Sequence, residues 1–469
     1  MLSKGQVIDL EIDSAAYQGS GVARFDEFVV FVKNAVPGDR VQARVIKKKR
    51  HYAEAVIEEL IKPSAHRLEP RCKYFGTCGG CSWQNVNYQQ QLIFKHKQVE
   101  ETFSHLGGLG SVKVCSTLPS PDIYYYRNKM EFSFGTNRWL TQEEIESGRE
   151  VQKGFALGLH IPKRWDKILD LDVCYLQSPL SAEIVNEVRK IALGKGWSAY
   201  DPLSHKGYLR NLVIRTGSNT GEIMVSLVTS RSEPQRVRLL TQVLLKAFPE
   251  ITTVVNSINS SRSPVAYGTE EIVYHGKGTI TDRIAHLVFM ITPDAFFQPN
   301  TAQAETLCRL VKEFARLDGD QTVYDLYSGS GSFALFLSDR VKKVVAVESH
   351  ERAVESACKN AAANKIENCV FRRGDVREAL TSPFVANYGR PDVLVADPPR
   401  AGMHKDVCRA ILALAPERVV YVSCNPATQA RDLKILCQQY EIEAIQPVDM
   451  FPHTYHIENV VALVDAATE

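Results

Sequence analysis

The sequence lacks three features that would direct it into a membrane, out of the cell or onto a highly charged partner. Its 469 residues contain no run approaching about 18 uncharged apolar residues, the length that a membrane-spanning helix needs. The first nine residues lack the apolar core of a secretory signal. The formal net charge is only +2, so composition alone does not indicate a nucleic-acid-binding protein. We therefore expect a cytoplasmic protein without a membrane association.

Length and cysteine content narrow the class of protein further. The chain is too long for one ordinary hydrophobic core, and two to three domains are expected. Its eleven cysteines form an odd number in a chain without an export signal. Because structural disulfides are rare in reducing compartments, these thiols are predicted to bind a metal or to act in catalysis.

Residues 1–62 have the pattern of a small β-barrel. About five short alternating strands are separated by turns such as Pro37–Asp39. Five strands in such a short stretch are typical of an oligonucleotide-binding barrel, although a plain packing module has the same pattern. The basic stretch at 44–50 is accordingly either a phosphate-binding surface or a solvated loop.

The rest of the chain divides into a mixed central region and a regular C-terminal region. Residues 63–290 open with a cysteine cluster and combine strand patterns with helices near 181–193 and 233–247. From about residue 300, strands alternate with helices, which predicts a parallel doubly wound sheet with ligands at the carboxyl ends of its strands. Its strands are predicted at 322–327, 343–348, 369–372, 392–396, 418–423 and 459–464.

A glycine-rich turn predicts a cofactor site at the end of the first of these strands. Gly329 and Gly331 let the backbone pass close to a ligand. Glu348 ends the next strand, where its carboxylate can accept both ribose hydroxyls of a nucleoside. The third glycine of the dinucleotide fingerprint is absent, which favours S-adenosylmethionine. Asp375, after the following strand, is either an adenine contact or a helix cap.

Three short segments near the C-terminus supply a thiol and two carboxylates. They contain Asp397, Cys424 and Glu458. Alkylation of uracil C5 needs a nucleophile that adds to C6 and a separate base that later removes the C5 proton, so a thiol with a carboxylate suits that reaction. Arg400, rather than an aromatic residue, follows the Pro–Pro pair after Asp397, which counts against methylation of an exocyclic amine. A helix beginning at about Pro426 is expected to favour the thiolate.

A second group of cysteines has the pattern of a metal site. Cys72, Cys78 and Cys81 surround two glycines whose N–H groups can point at sulfur, and Cys174 is a plausible fourth ligand. Four thiolates suit a structural zinc or an iron–sulfur cluster, and the spacing does not decide between them. The spacing differs from that of radical enzymes that use the same methyl donor.

The C-terminal segments resemble the two signatures of the RNA uracil-C5 methyltransferases. The first is DPPRAG at 397–402, followed after sixteen residues by VVYVSCNPAT at 419–428, and the second is DMFPHTYHIE at 449–458. The resemblance covers the whole chain and is strongest to the iron–sulfur branch that acts on 23S ribosomal RNA. It implies an α/β multidomain protein, with an RNA-binding TRAM barrel over 1–62, a central α/β domain over 63–290 and a Rossmann-like methyltransferase domain over 291–469.

The resemblance also implies a role for each candidate residue. Cys424 would add to C6, Glu458 would remove the C5 proton and Asp397 would hold the uracil edge. The cofactor would be bound by Gln298, Tyr327, Ser332, Glu348, Asp375 and Asp397. A 4Fe-4S cluster would be bound by Cys72, Cys78, Cys81 and Cys174.

The predicted partner is RNA, with 23S ribosomal RNA as the first choice and no protein partner implied. A uridine inside a stacked helix is out of reach of Cys424, so the target must be flipped or unpaired. The segment Tyr124–Lys129 offers either a stacking surface or core packing. Two alternatives are the same reaction on transfer RNA and a non-catalytic iron–sulfur protein that binds RNA or senses redox state.

Overall fold

The N-terminal region forms the small barrel that its strand pattern predicts. The computed structural model describes residues 2–16, 18–108, 113–148 and 150–467. The predicted turn is closed by Asp39, whose buried carboxylate accepts the N–H of Val36 at 2.6 Å. The described strands form one sheet in the order β1-β5-β6-β4-β3-β2. They are β1 (Val7–Glu11), β2 (Ser14–Ala15), β3 (Gly21–Phe25), β4 (Phe28–Lys33), β5 (Arg40–Lys48) and β6 (Tyr52–Lys62).

The central region contains a mixed sheet in the order β14-β13-β12-β11-β7-β9-β10-β8. Helices α3 and α4, close to the predicted positions, pack their apolar faces on this sheet. The elements of the region are α1 (Tyr88–Thr102), β7 (Lys129–Gly135), β8 (Arg138–Trp139), α2 (Gln142–Glu146), β9 (Ala156–Ile161), β10 (Arg164–Asp170), α3 (Pro179–Gly194), β11 (Leu209–Thr216), β12 (Ile223–Thr229), α4 (Pro234–Ala247), β13 (Ile251–Ile258), β14 (Glu270–His275), β15 (Ile280–Ile284) and β16 (Leu287–Ile291).

The C-terminal region is a doubly wound sheet in the order β19-β18-β17-β20-β21-β23-β22. Helices lie on both faces and enclose two separate apolar cores. The elements are α5 (Thr301–Ala315), β17 (Thr322–Leu326), α6 (Ser332–Leu337), β18 (Lys343–Glu348), α7 (Glu351–Ala363), β19 (Cys369–Arg373), α8 (Val376–Ala379), α9 (Ser382–Tyr388), β20 (Val393–Ala396), α10 (Lys405–Leu414), β21 (Arg418–Ser423), α11 (Pro426–Leu436), β22 (Tyr440–Val448) and β23 (Glu458–Asp465).

The expectation of a purely parallel sheet is wrong at one edge. β23 runs antiparallel to both β21 and β22, and β22 was not expected from the sequence. The reason is the connection: β22 and β23 are joined by a loop rather than by a crossover helix, and only a crossover returns the chain in the parallel direction. This reversal brings the first residue of β23 to the edge where the parallel strands end.

Segments at both ends of the central region pack into the C-terminal cores. Val99 and Phe103, at the end of α1 and just beyond it, are buried with the residues of one face of the C-terminal sheet. Val114 forms a bridge to Ile445 of β22. The hairpin β15–β16 packs on the other face. The domain boundaries at residues 62 and 290 stay a prediction.

No helix among the described residues has the length and apolar character needed to span a membrane.

Candidate active site

Strand register brings Asp397, Cys424 and Glu458 to one edge of the C-terminal sheet. Asp397 follows β20 and Cys424 follows β21, and these strands are parallel neighbours. Glu458 opens β23, whose second residue, Asn459, pairs with Ser423 at the end of β21. The carboxyl ends of the parallel strands and the amino end of the antiparallel one therefore meet, which is where ligands bind in such sheets.

The pKa values of the two carboxyl groups depend on burial, and that of Glu458 also depends on Asp397 and on nearby Arg400. Burial raises the pKa of Glu458 well above its usual range, the neighbouring Asp397 raises it further, and Arg400 opposes the rise. Burial raises the pKa of Asp397 as well. Two buried carboxyls that lie close together do not ionise independently. At neutral pH the pair therefore retains a proton, so it offers both a hydrogen-bond donor and a base.

The Cys424 thiol is partly buried and protonated. Burial raises the pKa of Cys424 to about 11, Glu458 and Asp397 add to the rise, and Arg400 lowers it through a hydrogen bond to the thiol. Helix α11 does begin at Pro426. The expectation that this helix end favours the thiolate stays a prediction, and its effect, about 0.3–1 kcal/mol, is smaller than that of burial beside two carboxyls.

Arg400 is a site residue whose role the sequence reasoning missed. Its backbone carbonyl accepts hydrogen bonds from the Asn425 side chain at 3.1 Å and from the Thr428 hydroxyl at 3.3 Å. These bonds anchor Arg400 to the first turn of α11, while its guanidinium lies against the Cys424 thiol. In the sequence, the only sign of this role is that Arg400 directly follows the Pro–Pro pair. That position argues against an exocyclic amine as the methyl acceptor but does not indicate a contact with Cys424.

Residues that follow Cys81 in the sequence form hydrogen bonds with the loop between β22 and β23. This loop leads to Glu458. The N–H groups of Ser82 and Trp83 donate to the carbonyl of His453 at 2.8 and 3.0 Å. The Gln91 side chain accepts from the N–H of His453 at 2.9 Å and donates to the carbonyl of Trp83 at 3.0 Å. The cysteine region and the loop before Glu458 are therefore joined by direct backbone and side-chain hydrogen bonds.

A fully buried ion pair fastens the start of the same loop. Lys95 of α1 contacts the Asp449 carboxylate at 2.5 Å and also donates to the carbonyl of Phe451 at 3.1 Å. The Tyr88 hydroxyl donates to the second oxygen of Asp449 at 2.8 Å. Both partners of the ion pair are inaccessible to solvent. Tyr88, Gln91 and Lys95 were not among the predicted site residues, although their spacing puts three polar side chains on one face of a helix.

The predicted cofactor turn and the end of the next strand are joined. The N–H of Gly329 donates to the Glu348 carboxylate at 3.1 Å. Tyr327 has a φ of 63° and Gly331 a φ of 86°, so the chain turns sharply at both residues. A Cβ atom at Gly331 would lie 3.0 Å from the ring of Phe371, which makes a side chain there costly. The next residue along the chain, Ser332, begins helix α6.

Two further residues of the predicted cofactor site make structural contacts of their own. Asp375 accepts the N–H of Arg377 at 2.9 Å as the cap of α8, and Arg377 lowers the pKa of Asp375 to about 2. The helix-cap alternative is thus observed, while the adenine contact stays a prediction. Gln298 lies before α5, and its backbone carbonyl accepts a hydrogen bond from the Asn128 side chain at 2.7 Å.

The four cysteines of the second group lie in the same part of the fold. Each is partly buried, and the thiols interact electrostatically with one another. The N–H of Gly80 donates to one sulfur at 3.4 Å and the Gln84 side chain donates to another at 3.2 Å. Among the described residues, no set of three or more His, Cys, Asp or Glu side chains is placed so that it could hold a metal ion. These four residues are Cys72, Cys78, Cys81 and Cys174.

The segments predicted to contact RNA are only partly available on the surface. In the barrel, Lys47 pairs with Glu54 at 2.6 Å, so part of the basic stretch is neutralised within the barrel itself. Tyr124 stacks on His453 with ring centroids 4.3 Å apart, whereas Tyr125 is exposed. Arg71 lies over both tyrosine rings, at 5.1 and 5.2 Å from their centroids. Tyr124 is thus half-buried against His453, whereas Tyr125 is partly exposed beside Arg71.

Two family models match the chain. The model described as tRNA (Uracil-5-)-methyltransferase matches residues 216–466, and the TRAM domain model matches residues 2–57. An RNA methyltransferase of Bacteroides thetaiotaomicron is 42% identical over 451 residues, which cover 96% of this chain and 99% of that protein. One of Porphyromonas gingivalis is 41% identical over 464 residues, or 97% of this chain and 99% of that protein.

A solved structure agrees along the whole length. The crystal structure of the Pyrococcus abyssi tRNA (uracil-54, C5)-methyltransferase in complex with S-adenosyl-L-homocysteine is similar with a TM-score of 0.76 and 30% identity, covering 97% of this chain and 99% of that one. The predicted TRAM barrel and methyltransferase fold are confirmed. The chain therefore belongs to the tRNA (uracil-5-)-methyltransferase family, whose members are S-adenosylmethionine-dependent RNA methyltransferases.

Proposed function

We propose that the protein transfers a methyl group from S-adenosylmethionine to C5 of a uridine in 23S ribosomal RNA, with Cys424 as the nucleophile. The observation that carries this proposal is the pairing of Ser423 with Asn459, which sets the residue after Ser423 beside Glu458. The preference for ribosomal RNA rests on the four cysteines, which are typical of the branch that acts on that RNA. A cytoplasmic location fits such a substrate.

The reaction uses the roles that the site allows. The Cys424 thiol loses its proton to solvent, with Arg400 stabilising the thiolate, and the sulfur then bonds to uracil C6. The electron pair displaced to C5 attacks the methyl carbon, which leaves the sulfonium as S-adenosylhomocysteine is released. Glu458 takes the C5 proton, and the electrons of that C–H bond restore the C5–C6 double bond and expel the thiolate.

The raised pKa of Asp397 gives this carboxyl a role of its own. A carboxyl that keeps its proton at neutral pH can donate a hydrogen bond to a uracil carbonyl oxygen. Negative charge develops on that oxygen when the thiolate adds to C6, so a donor placed there stabilises the enolate. We infer that Asp397 holds the uracil edge and that Glu458, whose pKa burial and Asp397 raise, loses its proton before it takes the C5 proton.

Transfer RNA is the second candidate substrate. The solved structure that resembles this chain over 97% of its length is that of a tRNA (uracil-54, C5)-methyltransferase. The chemistry at Cys424 is the same for either RNA, because only the nucleic acid around the target uridine differs. A side-by-side comparison of the two RNAs as substrates decides between them.

Tritium release from RNA labelled at uridine C5 tests the function. Unmodified 23S ribosomal RNA and transfer RNA are incubated separately with the protein and S-adenosylmethionine. We expect release from the ribosomal RNA that disappears in Cys424→Ala, with cofactor binding retained. Faster release from transfer RNA would reassign the substrate. No release from either RNA, with RNA and cofactor both bound, would favour the non-catalytic alternative.

We also propose that these four cysteines bind a 4Fe-4S cluster. The electrostatic interactions among the thiols and the N–H groups directed at two of the sulfurs support a thiolate-bound cluster, which would supply a structural crosslink between Cys174 and the loop at residues 72–81. A single zinc ion is the alternative that four thiolates also suit. Iron and sulfide near four each per chain after anaerobic purification are expected, and stoichiometric zinc would contradict the cluster.

A further inference from the structure

A large groove runs along the central sheet, beside the segment that carries Gln298. Its volume is about 990 Å³, and residues of β7, β9, β10 and β11 line it. Phe296 and Pro299, on either side of Gln298 in the chain, border the same groove. Because Gln298 is a candidate cofactor contact, the groove starts close to the expected position of the methyl donor.

Two aromatic side chains stand open in this groove. Phe296 is 66% exposed and Trp165, the second residue of β10, is 59% exposed, and both line the groove. They are the most exposed aromatic residues in the described part of the chain. A tryptophan is seldom left this open without a partner, because burying its ring removes a large apolar area from water.

The charged residues that line the groove are mainly cations. Lys163 is 82% exposed and has only a weak contact with Glu54 at 3.7 Å, and Arg262 is also exposed. The acidic lining residue, Glu131, is already paired with Lys129. The positive charge at Lys163 and Arg262 therefore faces solvent, where it can meet a polyanion.

We propose that this groove binds an unpaired RNA strand next to the target uridine, with one base stacked on Trp165. The proposal rests on the proposed function, because it extends the substrate beyond the methylated nucleotide. Exposed aromatics in a cationic groove are the arrangement by which proteins bind single strands: bases stack on the rings and phosphates meet the cations. A paired A-form helix would present its backbone and keep its bases inside, so no base could stack on Trp165.

Oligouridylates of two lengths test the proposal without any chemistry. Full-length protein with S-adenosylhomocysteine is titrated with labelled strands of about 4 and about 12 nucleotides, and binding is measured by fluorescence anisotropy. We expect the longer strand to bind more tightly. Trp165→Ala should weaken binding of the longer strand by about 5- to 150-fold, the range for loss of one stacked base, and leave the shorter strand unchanged.

A charge variant gives an independent readout if the tryptophan variant folds poorly. Arg262→Gln should lower the slope of log affinity against log salt by about 0.7 for the longer strand, as expected for one lost phosphate contact. Arg238→Gln, an exposed arginine of α4 outside the groove, is the matched control and should change nothing.

Three results would overturn the groove assignment. They are equal binding of both lengths, equal losses for both lengths in Trp165→Ala, and identical salt slopes in the Arg262 and Arg238 variants. Failure of the proposed function would look different, because tritium release would be absent while the dependence of binding on strand length persisted.

Discussion

At the scale of single residues, Arg400 is the group that favours ionisation of Cys424, the proposed nucleophile. Burial and two carboxyls raise the pKa of Cys424 to about 11, and Arg400 acts against them. The same guanidinium opposes the rise in the pKa of Glu458. Arg400 thus favours the ionised forms of both groups, which are the forms that the proposed reaction needs.

Replacing Arg400 should slow alkylation of Cys424. In Arg400→Gln the pKa of Cys424 rises further, and below that pKa each further rise of one lowers the thiolate fraction tenfold. We expect slower iodoacetamide labelling of the Cys424 peptide from pH 7 to 10, with the rate still increasing as pH rises. Arg409→Gln, an exposed arginine of α10, is the control. Equal rates in both variants would contradict this role.

Replacing Glu458 should trap the reaction before its last step. Glu458→Gln keeps the shape of the side chain but cannot take the C5 proton, so the thiolate is not expelled. We expect a methylated RNA covalently joined to Cys424, seen as a band shift on a denaturing gel. The double variant with Cys424→Ala should form no adduct. Free turnover by Glu458→Gln would contradict the assignment of the base.

At the scale of elements, helix α1 determines where the loop before Glu458 lies. Lys95 and Tyr88 hold Asp449, and Gln91 holds His453. These contacts involve residues more than 300 positions apart along the chain, so no local pattern reveals them. The buried ion pair is costly to form but more costly to break, because removing one partner leaves the other charge without compensation.

Breaking that ion pair should destabilise the protein strongly. Lys95→Met leaves the buried Asp449 carboxylate without its cation, and we expect a loss of about 3–5 kcal/mol in the free energy of unfolding. Lys312→Met removes a more exposed ion pair with Asp339 and should cost about 0–1 kcal/mol. Urea titrations of the two variants provide the comparison. Equal losses would show that burial of the Lys95 pair is not decisive.

At the scale of the whole molecule, the cysteine region and the catalytic edge form one connected structure. Ser82 and Trp83 come directly after Cys81 and donate to His453, five residues before Glu458. A cluster bound by the cysteines would therefore order the loop that leads to Glu458 without taking part in the chemistry. This gives a structural role to a group that methyl transfer itself does not require.

Disturbing the cysteine region should loosen the catalytic loop. In anaerobically purified Cys81→Ser, we expect faster hydrogen exchange at residues 449–458, because the loop at 82–83 loses its anchor. Strand β18 serves as the internal control and should exchange as in the wild type. Faster exchange confined to residues 70–84 would show that the two regions are not coupled.

Most strands of the C-terminal sheet and the candidate catalytic groups could be predicted from the sequence alone. The strands β17, β18 and β21 lie within a residue of their predicted positions, because short apolar runs between turns are local signals. The three catalytic candidates were identifiable because Asp397, Cys424 and Glu458 each stand at a strand end next to a short distinctive segment.

The ionisation and placement of those groups could be read only from the folded structure. The antiparallel return of β23 places Glu458 beside Cys424, and the burial that results raises the pKa of both groups. Helix α1 fastens the loop before Glu458 through a buried ion pair with Asp449. Burial, charge proximity and long-range packing depend on which surfaces meet in space. A local sequence pattern cannot predict those contacts.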